Sequence, residues 1–161
     1  MRREWRFVVR DQKACLLNGA YIKDGRSTQR RKSQATHDWL WALKVKLLKN
    51  DVEVAEIKRN FDKMKHVLVC SYTWMVPHKE YFTKSGKINE RLGDTSNFCK
   101  VPDDLIFNTI LGIDDSFIKS QRIRILPHRG TKHHIVVDIF IVDYEAIVNN
   151  GESFAESLEL E

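Results

Sequence analysis

Apolar residues along this chain recur with two different periods, and each change of period marks a new element. Residues 5–10, WRFVVR, alternate weakly and are rich in strand formers, which predicts a strand. Turns follow at Asn18-Gly19 and Asp24-Gly25, inside a loop over about 11–32. From Ser33 the period lengthens. Trp39, Leu40, Leu43, Leu47 and Leu48 fall at helical spacing, with Ser33 or Thr36 as N-cap, Asn50-Asp51 as the stop, and the tryptophans expected in the core. Val54, Ile57, Phe61 and Met64 predict a second helix over about 52–64, with Asn50 and Glu53 placed as a capping box.

The run HVLVCSYTWMV, 66–76, reads as a central strand because it carries β-branched and aromatic residues between a charged helix and Pro77. An irregular basic stretch, KEYFTKSGKINERLG, leads on to Asp94. Beyond Asn97, the residues Phe98, Val101, Leu105, Ile106 and Ile110 share one helical face. Pro102 suits the first turn of that helix, where its missing N–H is harmless, Asp103 and Asp104 suit its dipole, and Gly112 ends it. Two further apolar runs, 117–126 and 133–142, flank PHRGTK and predict a hairpin, and residues 145–161 turn acidic. The fold expected is α+β (mixed α/β): a single compact domain over 1–144, with a small mixed sheet packed against two or three helices, and a loosely held acidic C-terminal tail over 145–161.

Composition narrows the class. With 161 residues, 42% of them hydrophobic, and only 7 Gly and 3 Pro, the chain holds one well-buried core. No apolar run approaches the length needed to span a bilayer, and the start MRREWRFVVR lacks the apolar centre of a secretory signal, so a cytoplasmic protein is expected. Cys15, Cys70 and Cys99 are odd in number and lie at no metal spacing, which reads as ordinary reduced thiols. There is no P-loop, dinucleotide fingerprint or Ser/His/Asp arrangement. His133-His134 opens a strand, where neighbouring side chains face opposite ways and chelate poorly, and His37, His66, His78 and His128 form no ligand spacing.

Charge is polarised along the chain. Residues 1–50 carry 13 Lys and Arg against 4 Asp and Glu, whereas 101–161 carry 5 against 11. The densest basic run, RSTQRRK at 26–32, supplies Arg26, Arg30, Arg31 and Lys32 as candidate phosphate contacts, joined by Arg122, Arg124, Arg129 and Lys132 near the expected hairpin. The acidic part holds the candidate chemistry. In GDTSNFCKVPDDLIFNTILGIDD, Asp94, Asn97 and Lys100 precede a helix whose far end returns Asp114 and Asp115, and carboxylates gathered with a lysine suit Mg²⁺-assisted attack on a phosphate.

The run D-T-S-N-F-C-K, then Asp104, Gly112 and D-D-S-F-I, resembles the motif of the RusA family of Holliday-junction resolvases, small dimeric endonucleases of phages and prophages. That motif reads Asp-x-Asp-Asn-x-x-Lys, a helical Asp, a Gly, then Asp-Asp-x-x-Ile/Val. The order of elements agrees over most of residues 5–142, and residues 94–118 are the specific part. The resemblance implies Asp94, Lys100 and Asp115 as catalytic residues, and Asp94 and Asp115 as ligands of Mg²⁺, with Mn²⁺ as its substitute. Asn97 would orient Asp94 or cap the helix, and Asp104 would be a structural acid on the outer face. Ser96 stands where the family has its second acid, and Asp114 or a carboxylate of a second subunit could make up the missing charge. The activity implied is metal-dependent nicking of four-way DNA junctions by a homodimer in a bacterial or phage-infected cell. The alternatives are a protein that binds branched DNA without cutting it, and a metal-dependent flap or single-strand nuclease.

Overall fold

Alternation at the N-terminus produces strand β1, Glu4–Arg10, in which Trp5, Phe7 and Val9 are buried and the residues between them are exposed. The structure, a computed structural model, describes residues 3–14, 21–23, 30–92 and 98–149. Within the span expected to be loop, β2 (Tyr21–Lys23) pairs antiparallel with β3 (Arg30–Lys32) as a separate two-stranded ribbon. These triplets carry no hydrophobic alternation, so the pattern gave no sign of them.

Helix α1, Gln34–Leu47, starts where expected. The Ser33 hydroxyl accepts from the Thr36 N–H at 3.2 Å, satisfying one of the orphan donors of the first turn. A 3₁₀ turn, Leu48–Asn50, joins it to α2, Asp51–Asn60. The second helix is shorter than its apolar spacing suggested and leaves Met64 81% exposed. Asn50 makes no capping box. Its side chain donates back to the Leu47 carbonyl, because the 3₁₀ turn keeps the chain wound where a capping residue must be extended.

The long apolar run becomes β4, His66–Pro77. A short helix, α3 (His78–Tyr81), and a 3₁₀ turn (Glu90–Leu92) follow, then α4, Lys100–Asp103, which widens into a π-helical segment over Asp104–Leu111. A 3₁₀ turn at Asp115–Phe117 leads into β5 (Ile118–His128), then β6 (His134–Asp143) and α5 (Tyr144–Asn149). The first residues of the expected tail are thus helical, and 150–161 lie outside the described residues.

The main sheet has the order β1-β6-β4-β5. β4 pairs antiparallel with β6 and parallel with β5, so the expected β5–β6 hairpin is split, with β4 between its arms. Burial explains this. β4 is apolar enough to need a neighbour on each side, whereas β5, rich in exposed Lys and Arg, tolerates the edge. The architecture is a mixed α+β fold in which α1, α2 and the π segment pack on one face of the sheet. That face presents Trp5, Phe7, Cys70, Tyr72, Trp74, Val137 and Ile139 to Leu43, Leu47 and Ile57 of the first two helices and to Leu105, Ile106, Phe107 and Ile110 of the π segment. The expectation that the tryptophans of α1 lie in the core is corrected for Trp41, which is 68% exposed, whereas Trp39 is half-buried and donates its indole N–H to the Lys13 carbonyl. Among the described residues no helix is long and apolar enough to cross a membrane.

Candidate functional site

The site is built where α4 begins, at Lys100, and in the turn just before β5, at Asp115, two points 15 residues apart that the π segment folds back together. Gly112, at φ 66°, ends the helix in the left-handed conformation that glycine adopts without strain, and its N–H donates to the Phe107 carbonyl. The Ile113 N–H bonds the same carbonyl, and the chain turns back. Asn108 then holds the returning loop, its side-chain oxygen accepting from the Asp115 N–H at 3.0 Å.

This return brings Asp115 to Lys100. The lysine ammonium lies 3.0 Å from Asp115 Oδ2 and 3.2 Å from Asp104 Oδ1, one helical turn along its own helix. Hydrogen bonds to the two carboxylates hold its pKa well above the usual lysine range, so it is a fixed cation at neutral pH. Asp104 is half-buried in this ion pair and does not lie free on an outer face. Asp114 is exposed. Its carboxylate accepts from the Ser116 N–H at 2.8 Å, capping the 3₁₀ turn, and that bond lowers its pKa.

Sequence reasoning missed Asp103. It is 7% exposed and lies on the sheet side of the helix, where Tyr72 Oη donates to its Oδ1 at 2.7 Å and Gln121 Nε2 donates to both of its oxygens at 2.9 and 3.0 Å. Asp103, Asp115, Lys119, Ser120 and Gln121 line one open pocket of about 250 Å³. Burial raises the Asp103 pKa, opposed by the bonds from Gln121 and Tyr72 and by the charge of Lys100. A signal was present: in β5, Gln121 occupies the inward phase otherwise held by Ile123 and Ile125, and a polar residue on an apolar face needs a buried partner.

The sign of the Asp103 shift gives a stability prediction. The folded protein holds this proton more tightly than the unfolded chain, so the stability linked to it is fully present below the ordinary value of 3.8 and is lost as pH rises through the raised folded value. Asp103→Asn removes that loss. In urea titrations its stability relative to the wild type is expected to rise between pH 4 and neutral pH, and a pH-independent difference would show that burial of the charge is not what the site has to balance.

The other expected site residues divide by position. Asp94, Ser96, Asn97 and Arg26 lie outside the described residues. Arg30 and Arg31 are on β3, and Lys32 ends it half-buried. Arg129 is exposed in the β5–β6 connection, and Lys132 there pairs with Asp11 at 2.6 Å. The structure does not gather these two with the carboxylates: they lie at the opposite end of β5, an 11-residue strand about 35 Å long. Arg122 and Arg124 share the β4 register of Ser71 and Thr73, which puts them on the sheet face away from Asp103. Among the described residues no group of three His, Cys, Asp or Glu is placed to hold a metal. Cys70 and Cys99 are free thiols, both pushed up in pKa by burial, and so unreactive.

The donor chemistry does fit a hard divalent cation. Two carboxylates, Asp103 and Asp115, border one pocket, and Mg²⁺ is commonly held by one or two carboxylates with water and substrate phosphate completing its shell. No protein-family model matches the chain, and no curated protein is similar to it.

Proposed function

We propose that this protein is a divalent-metal-dependent endonuclease that nicks four-way DNA junctions, with Mg²⁺ as the physiological ion and Mn²⁺ as its substitute. The observation that carries the reading is the Lys100–Asp115 pair at 3.0 Å, because the resemblance to the RusA motif requires these two residues to meet. Asp103, which borders the same pocket as Asp115, adds a carboxylate that the motif does not anticipate and offsets the serine at position 96.

The roles follow from the contacts. Asp115 and Asp103, with Asp94 as the further ligand that the motif implies, would hold the cation. The chemistry that ion supplies when bound is charge neutralisation and Lewis acidity toward the scissile phosphate. Lys100 has three donors and commits two of them to Asp104 and Asp115, which leaves one for a phosphate oxygen on which charge develops. Tyr72 and Gln121 fix the Asp103 carboxylate so that it need not reorganise as substrate binds. Asn108 holds the backbone that carries Asp115. Arg129 and Lys132, far along β5, would contact a duplex arm instead of the cleaved phosphate.

A second reading, a protein that binds branched DNA without cutting it, is favoured by the same ion pair. Lys100 already neutralises Asp115 and so competes with a cation for it. One assay separates the two. A labelled four-way junction and a matched linear duplex are incubated with the wild type and with Asp115→Asn, in Mg²⁺, Mn²⁺ or EDTA. Paired nicks in the junction that need metal and vanish in the variant are expected. Tight junction binding with no nicking in either metal would transfer the conclusion to the binding protein, and failure to prefer the junction would remove both readings.

A further inference from the structure

The turn that carries Asp115 also borders a second pocket, of opposite character. The α2–β4 connection contributes Lys63, Met64 and Lys65, β5 contributes Lys119, and α5 contributes Tyr144 to a cavity of about 310 Å³. Among the described residues none that lines it is acidic, whereas Asp103 and Asp115 line its neighbour. The two pockets are continuous at the turn: Lys119 lines both, and Asp115 and Ser116, adjacent in the chain, each border one. The walls are tied together, since the Tyr144 N–H donates to the Lys65 carbonyl at 2.7 Å.

Charge and exposure say what fits there. Lys63, Lys65 and Lys119 are exposed, and none of them is in an ion pair among the described residues. The Lys119 ammonium donates to the Ser116 carbonyl at 2.8 Å, which leaves two of its three donors for a ligand. Asp143, next to Tyr144 in the chain, is already engaged by Arg3 and by His66. Tyr144 is 55% and Met64 81% exposed, while Phe117 behind them is held edge-on against Phe61 with ring centroids 5.4 Å apart. An open tyrosine ring among unpaired ammonium groups matches a single nucleic-acid strand, which offers phosphates along its backbone and base faces free to stack. In a continuous duplex those faces are covered by neighbouring base pairs, and a cavity of this size admits a base but not a double helix.

We infer that this pocket takes an unpaired nucleotide of the strand being cut, beside the phosphate held at the Asp103–Asp115 pocket, with Tyr144 stacking on its base and Lys63, Lys65 and Lys119 meeting the flanking phosphates. The inference rests on the nuclease reading for the place of the scissile phosphate and goes beyond it by requiring the next nucleotide to be unstacked. A base at a branch point lacks the continuous stack of a linear duplex and costs less to turn out, so the pocket favours branched or single-stranded DNA.

Equilibrium binding in EDTA, where nothing is cut, tests the pocket apart from the chemistry. Fluorescence anisotropy is measured on the full chain with a labelled short oligothymidine, a matched linear duplex and a four-way junction. Tyr144→Ala is expected to weaken binding of the oligothymidine about fivefold or more, with Tyr144→Phe restoring it and the melting temperature unchanged. Lys63→Ala with Lys65→Ala is expected to weaken it as well and to reduce the salt slope by about 1.4, two phosphate contacts on a single strand. Affinity of Tyr144→Ala for the linear duplex is expected to stay at the wild-type value. Unchanged oligothymidine binding in these variants would overturn the inference while leaving junction nicking, and the nuclease reading, intact. An equal loss on duplex and single strand would sink the assignment to an unpaired base. A wild type that binds none of the three DNAs would end the inference and the nuclease reading together.

Discussion

Replacing Lys100 by methionine is expected to increase the stabilisation that Mg²⁺ confers on the protein while lowering junction nicking about a hundredfold or more. Both effects come from one ammonium group. Lys100 sits 3.0 Å from Asp115 and 3.2 Å from Asp104, with the buried Asp103 bordering the same pocket as Asp115. Methionine keeps most of the aliphatic stem and removes the cation, so Asp104 and Asp115 lose the counter-charge they share. A divalent ion then meets a more negative site and no competing lysine, and a ligand that binds only the folded state stabilises it in proportion to its occupancy. Melting curves in EDTA and in Mg²⁺ should show a larger metal-induced rise in Tm for the variant than for the wild type. An equal rise would mean that the cation does not use Asp115. Retained nicking would make Lys100 a structural residue and remove the main support for the proposed chemistry.

The sequence carried this pair only in part. The spacing of Lys100, Asp104 and Asp115 was legible because Gly112 announces a helix end and the Asp-Asp that follows must return along the helix. Which of the adjacent acids turns inward was not legible. Asp103 and Asp104 both suit a first turn, and the choice rests on Tyr72 and Gln121, which come from two other elements. The widening of the helix into π geometry over Asp104–Leu111 has no signature in its composition either, though it adds Phe107 and Leu111 to the buried face that the 3.6-residue period assigned to Leu105, Ile106 and Ile110.

The same division holds in the sheet. β1 and β4 were legible from their own residues, since alternation and a long β-branched run are local properties. Strand order was not, because it is decided by competition. The short connection between β5 and β6 looks like a hairpin, and only the demand of β4 for two neighbours separates them. The basic residues of β5 were a usable hint, since charged side chains recur on edge strands. Trp41 misled for a related reason: helical spacing reports that a residue lies on an apolar face, and α1–α2 has two.

The two tryptophans also separate what this residue does for stability in the core from what it does at the surface. Trp74→Ala is expected to destabilise the protein by about 3–5 kcal/mol, against a change within about 0.5 kcal/mol for Trp41→Ala. Trp74 is 1% exposed at the centre of β4 and packs edge-on against Phe98 with ring centroids 5.3 Å apart, so truncation opens a cavity that the surrounding strands cannot close. In a chain of this size the loss corresponds to a fall in Tm of about 10 °C, measurable by circular dichroism in urea or on heating. The consequence reaches the site as well, because Phe98 stands two residues before Lys100 and anchors the start of α4 to the sheet. With that anchor loosened, the Lys100–Asp115 distance is no longer fixed by the core. Trp74→Ala should therefore lose the metal-induced rise in Tm together with its stability, whereas Trp41→Ala should keep both. Equal destabilisation by the two substitutions would show that the Trp41 face is packed in solution against its own chain, and would count against the core and the exposed helix face as two distinct surfaces.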